Sequence, residues 1–238
     1  MTSLGRTLPG YLVEGLLIFA AVTLGFLADN LRESLADREA ERAYMRAIVE
    51  DLVIDSLRLS ENVRRLRGNM ANADSMVHDF IAGRSIGRYA DAISDHGRSA
   101  GNSIDLVFND RTSSQLKGTG AMRLVRDTAI AGALLRYWNA QERLQEIRDR
   151  FEVVRIEQRK VGWRAFNWYQ PFFARNRPDD RIIVDDRPPA IRDPALVPEF
   201  VNVTASNYNL AHFSFLPELE AAIALGTDIR NRIRVVYP

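Results

Sequence analysis

One apolar run near the start constrains this chain more than any other feature. From Tyr11 to Ala28, "YLVEGLLIFAAVTLGFLA", only Glu14 and Thr23 interrupt the apolar and small residues, and no charge occurs from Gly15 to Ala28. A helix of 18 residues measures about 27 Å, close to the hydrocarbon thickness of a bilayer. A buried core helix or a secretory signal shares this composition. A signal needs a small-x-small cleavage site after its apolar run, whereas here "FLADNLRES" leads straight into a charged helical pattern. The reading is a tail over 1–10 and one transmembrane helix over 11–29.

Glu14 sits about one turn inside the first end of that span, where an acid stays hydrated or contacts a neighbouring membrane helix. It is the candidate contact to a membrane partner. Arg6 alone precedes the span, while Arg32, Arg38, Arg42 and Arg46 follow it. The positive-inside rule then places the body in the cytoplasm, on a bacterial inner membrane.

After the span the chain lacks proline for many turns. Met45, Leu52, Leu59, Val63, Leu66, Met70, Ala73, Val77 and Phe80 recur at spacings of three, four or seven, with Ser56 as the weak position. This predicts one long helix from about Leu31 to Ala82, continuous with the span or nearly so. Its seam serves either packing within the chain or a homodimeric coiled coil. A connector over 83–118 contains a short helix and a helical turn. A second long helix begins near Ala121, with Leu124, Ile130, Leu134, Tyr137, Trp138, Leu144, Ile147, Phe151 and Val154 on one face, and runs to about Trp168. Five prolines make 174–198 a loop with at most a small strand at Ile182–Val184, and C-terminal helices over 199–238 pack back on the bundle.

The expected fold is therefore all-α: one N-terminal transmembrane helix, then an elongated bundle over 30–173 built on two long antiparallel helices, with shorter helices after it. An antiparallel second helix returns "GWRAFNWYQPFF" to the membrane. Trp163, Phe166, Trp168, Tyr169, Phe172 and Phe173 then form an interfacial belt or a docking patch, unless they are bundle core.

Chemistry-bearing motifs are sparse. In "SSQLKGTGAMRL" Lys117 precedes Gly118 and Gly120, the reverse of a phosphate-binding loop, and no strand leads into it. Gly118 and Gly120 read as a structural turn. His78, His96 and His212 are isolated, and the acidic pairs Asp179–Asp180 and Asp185–Asp186 lie beside arginines without calcium-loop spacing. The chain has no cysteine, which excludes disulfides and thiolate chemistry. A net charge of +1 gives no reason to expect nucleic acid. The sequence calls for no cofactor, no metal and no catalytic residue.

Two stretches carry a resemblance. "YLVEGLLIFAAVTLGFLADNLRES", Tyr11 to Ser34, and "SSQLKGTGAMRLVRDTAIAGALLRYWN", Ser113 to Asn139, resemble a group of uncharacterised bacterial single-pass membrane proteins. That group is best known from Bacteroidetes and related phyla and is classed as a domain of unknown function. The resemblance implies an architecture, one span and a helical body, and supplies no site residues. The leading functional expectation is a non-catalytic accessory subunit of a larger inner-membrane assembly, with respiratory or photosynthetic complexes as conceivable hosts. The alternatives are a signalling module dimerising through the Met45–Phe80 seam, and an enzyme acting on a phosphorylated or lipid substrate near Gly118–Gly120.

Overall fold

Every element of the computed structural model is helical, and no strand occurs among the described residues. These are residues 8–82, 86–168 and 190–238, the side chains of 8–12 and 86–91 excepted. Helix α1 runs unbroken from Leu8 to Ile81, 74 residues and about 110 Å at 1.5 Å per residue. Nothing stops it earlier: the first proline after its opening turn comes far downstream, and Gly15, Gly25 and Gly68 are tolerated in its interior. Helices α2 (Ile86–Ala100) and α3 (Arg111–Gly118) flank a non-helical stretch, 102–110. A 3₁₀ turn, Ala121–Leu124, precedes helix α4, Thr128–Ala165. Asp127 starts α4 by accepting a bond from the Ile130 amide at 2.9 Å. Helix α5 (Val197–Leu210) passes through a π turn (Ala211–Phe215) into helix α6 (Leu216–Val236).

Three core clusters set the directions of these rods. Met45, Ile48 and Leu52 of α1 meet Leu116, Ile130, Leu134, Tyr137, Ile229 and Ile233. Leu59, Val63 and Leu66 meet Ile104, Leu106, Leu144, Ile147, Phe151, Phe215 and Leu219. Met76 meets Ile93, Val161, Ala165, Phe166, Val197 and Phe200. Position numbers rise together in α1 and α4 and fall in the α2–α3 and α5–α6 rods. The topology is up-down-up-down.

The two longest helices therefore run parallel, on opposite corners of the bundle, and not antiparallel as expected. The reason is the connector. With α2 about 22 Å long, α3 about 12 Å and nine extended residues about 30 Å, the stretch from Ile86 to Gly118 spans the whole bundle. It is a rod in its own right, not a loop between neighbours. The second long helix also starts later than expected, at Thr128, and ends at Ala165. The expected strand at Ile182–Val184 lies outside the described residues. What is described of the proline-rich loop pairs Ile191 with Phe166 in an isolated bridge.

The π turn follows from apolar spacing. Asn207, Ala211, Phe215 and Leu219 are all buried and four residues apart. Three α-helical turns take about 10.8 residues, so 12 residues leave roughly one to absorb, and a π turn absorbs one.

Candidate functional site

Helix α1 has two faces of function along its length. Over its most apolar 18 residues its mean hydropathy is 1.5, and none of that window is buried. Leu17, Phe19, Leu24 and Phe26 all stand exposed, as does Glu14. By length and composition this end could cross a membrane. The first buried side chain of α1 is Glu41. Residues 29–40, about 18 Å of helix, thus separate the apolar end from the bundle.

Within the bundle the expected seam is real but belongs to the chain itself. Met45, Leu52, Leu59, Val63 and Leu66 are buried against the other rods, with Met70, Val77 and Phe80 partly buried beside them. That face is covered by the chain's own rods, α2, α3, α4, α5 and α6.

A second line of side chains escaped the sequence reading. Glu41, Ile48, Asp55, Asn62, Asn69 and Met76 recur every seven residues on α1, and all six are buried. Four of them are polar, and three of these, Asp55, Asn62 and Asn69, bond the rod beside them, which lacks helical hydrogen bonds. Asn69 Nδ2 donates to the Asn102 carbonyl at 2.8 Å, and Asn62 Nδ2 to the Asp105 carbonyl at 2.9 Å. Asp55 Oδ1 accepts from the Asn109 amide at 2.7 Å. From α4, Gln145 Nε2 donates to the Leu106 carbonyl at 3.3 Å. The registers agree: one heptad rises about 10.5 Å, and three or four extended residues advance about 10–13 Å. Buried backbone groups must be paired, and here helix side chains pair them.

Two acidic points anchor this lacing. Glu41 Oε1 accepts from the Arg126 amide at 2.7 Å and from the Tyr237 hydroxyl at 2.6 Å. It clamps the entry of α1 to the approach of α4 and to the end of the chain. Burial, then the Glu41 carboxylate, push the Tyr237 hydroxyl pKa up, so it stays a donor. About three to four turns further along α1, Asp51 and Asp55 face a cavity of about 20 Å³ with Asn109, Ser113, Tyr137 and Gln141. Asp51 accepts from Asn109 Nδ2 at 2.7 Å and from the Thr112 amide at 3.3 Å. Asp55 Oδ2 accepts from Tyr137 Oη at 3.1 Å and Gln141 Nε2 at 3.2 Å. Burial raises the Asp55 pKa above its usual 3.8, the Asp51 charge adds to this, and the bonds from Asn109 and Tyr137 oppose it. Burial also drives the Tyr137 pKa up, so the phenol donates.

The aromatic cluster lies at the other end. Phe166 and Trp168 are buried and stacked at 5.7 Å, both against Phe200, on the level of Met76. That is the end of the bundle far from the apolar run. The parallel course of α4 puts them there, so these two are core and not an interfacial belt. Trp163 is half exposed beside Trp168, while Tyr169, Phe172 and Phe173 lie outside the described residues. Gly162 allows this packing, because a Cβ there would overlap the Trp168 indole.

Gly118 ends α3, and Gly120 adopts φ 67°, the left-handed region that glycine enters freely. Lys117 lies over the Trp138 ring at 4.8 Å. His96 bonds Asn72 and His212 stacks on Tyr208. No group of three metal-ligating side chains occurs among the described residues. The acidic pairs of the proline-rich loop lie outside them.

Compared with protein families, with curated proteins and with solved structures, the chain finds no match. The resemblance of Tyr11–Ser34 and Ser113–Asn139 gains nothing from these comparisons and carries no functional argument.

Proposed function

We propose that this chain is a non-catalytic, membrane-anchored helical protein, an accessory or structural subunit of a larger inner-membrane assembly. One observation carries the reading: the helix with the exposed apolar end continues without a break as the organising helix of the bundle. A span joined to its body by a linker only tethers it. A span that is the first rod of the bundle fixes the body at a set height and angle. That rigidity suits a part that must hold a position in an assembly. The arginines after the apolar run favour a cytoplasmic body. The interior polar groups serve the extended rod and the clamp, and this accounts for them without a reaction.

Mild detergent extraction followed by native-size measurement tests the proposal. The expected particle exceeds the 27.0 kDa chain plus its micelle and contains a second membrane protein at fixed stoichiometry. A clean monomer at every detergent strength tried refutes it.

A further inference from the structure

We propose that the end of the bundle nearer the apolar run is a docking face for anionic lipid headgroups, on which the body leans when those lipids are present. The inference rests on reading the apolar end of α1 as a span. Two segments make up this end, 117–127 and 229–238. Ala121, Val125, Ile229 and Ile233 pack there in one cluster with Met45 and Ile48 of α1. The Arg126 amide and the Tyr237 hydroxyl both bond Glu41, at 2.7 and 2.6 Å. Both segments are thereby fixed at the level where α1 enters the bundle.

Charge is spread unevenly over the molecule. The two segments hold Lys117, Arg123, Arg126, Arg230, Arg232 and Arg234 against a single acid, Asp127, which caps α4. Arg232 pairs with Asp228 at 2.7 Å, and Arg126 faces Glu41 at 3.8 Å. Arg123 and Arg234 are exposed and enter none of the ion pairs among the described residues. The whole chain carries only +1, so this surplus is local. The exposed stretch 29–40 does not share it, with Asp29, Glu33, Asp37 and Glu39 against Arg32 and Arg38. Beside the basic groups the face is apolar: Val235 is 82% and Val236 46% exposed.

Distance decides whether these charges meet a membrane. Residues 29–40 lift the bundle by about 18 Å, and headgroups fill roughly 5–8 Å of that. With α1 upright about 10–13 Å remain, more than the Debye length of about 8 Å at physiological ionic strength. An upright body therefore feels the leaflet weakly. Spans ordinarily tilt by about 20°, and by up to about 40°. Because α1 is unbroken from its apolar end into the bundle, a tilt of the span is a tilt of the body. The approach to α4, which carries Arg123 and Arg126, lies diagonally across from α1. For helices packed about 8–10 Å apart that is about 13 Å away, so it descends by about 4–8 Å. Long arginine side chains reach across the rest. Each basic group gains about fivefold in contact when it comes close to an anionic surface, and this fades within a Debye length. A neutral leaflet offers no such gain.

The chain has no cysteine, so Val235→Cys gives a single labelling site. Ile81→Cys, at a residue 75% exposed at the far end of α1, is the control. The full chain carrying a fluorophore at either site is inserted into phosphatidylcholine vesicles with or without phosphatidylglycerol, and quenching by a headgroup-borne quencher is read. Contact at 235 is expected to rise about fivefold or more with phosphatidylglycerol and to fall back in about 1 M salt, while position 81 stays unquenched. Arg123→Gln/Arg234→Gln, at two exposed and unpaired sites, removes most of the rise. Equal quenching at 235 in both vesicles, a rise that survives high salt, or an undiminished rise in the double variant overturns the docking face. A labelled chain that does not float with either kind of vesicle refutes the span and this face with it. One that floats and shows no dependence on phosphatidylglycerol refutes the docking face alone.

Discussion

Replacing Asn62 and Asn69 by leucine separates two accounts of the α1 seam by the sign of one number. If the seam were an ordinary coiled-coil face, each change would swap a buried polar residue for an apolar one. Burying a leucine side chain gains roughly 1.5–3 kcal/mol, so the variant would be more stable. The structure argues the reverse. Asn62 is 4% and Asn69 7% exposed, and each donates to a carbonyl of a rod that lacks helical bonds. Leucine leaves those carbonyls unpaired at about 1–3 kcal/mol each, and the donated bonds, about 1 kcal/mol each, are lost with them. The leucine gain offsets only part of this, because each site is shaped by a polar contact with a backbone. We expect a net loss of about 1–2 kcal/mol per site. The sites lie about 10.5 Å apart along α1 and share no partner, so the losses add to about 2–4 kcal/mol. Urea unfolding of the full chain in micelles reads it, with Ser60→Ala on the exposed face as a control expected within about 0.5 kcal/mol. A double variant with a raised urea midpoint refutes the lacing argument.

Other expectations follow from single contacts. Gly162→Ala drives a methyl into the Trp168 indole, so stability falls by about 1–3 kcal/mol and tryptophan emission shifts to the red. Tyr237→Phe takes one donor from the buried Glu41 carboxylate and costs about 1.5–3 kcal/mol in thermal or urea unfolding, although Tyr237 is the next-to-last residue. Asp55→Asn removes a carboxyl whose folded pKa is raised. The contribution of Asp55 is fully present below its unfolded value of 3.8 and is lost as pH rises through the folded value. The variant's stability relative to the parent therefore increases with pH, checked by paired melting curves across that window.

The helices and the apolar half of the seam were legible in the sequence because both are patterns of hydrophobicity. Met45, Leu52, Leu59 and Leu66 announce a buried face at sevenfold spacing, and the absence of proline announces the length of α1. The polar half was not legible. Glu41, Asp55, Asn62 and Asn69 keep the same spacing, yet polar residues on a long helix ordinarily mean solvent. Their strict period was the available signal. What they bond to is a distant non-helical segment, and no local pattern shows that. The direction of α4 failed for a related reason. "GNSIDLVFND" reads as a loop by composition, and only the side chains that lace it make it a bundle rod. A connector that is itself a rod lets α4 run parallel to α1, which places Phe166 and Trp168 at the level of Met76 and not at the apolar end.

The course of α4 relative to an unbroken α1 is the claim on which the rest depends. Spin labels at Leu35, on the exposed part of α1, and at Trp163, exposed near the end of α4, report it as one distance in the full chain. Trp163 lies level with the neighbourhood of Met76, 41 residues along α1 from Leu35, so a straight α1 and a parallel α4 place the labels about 60 Å apart. A distribution centred below about 30 Å, as an antiparallel α4 or a folded-back α1 gives, contradicts the account.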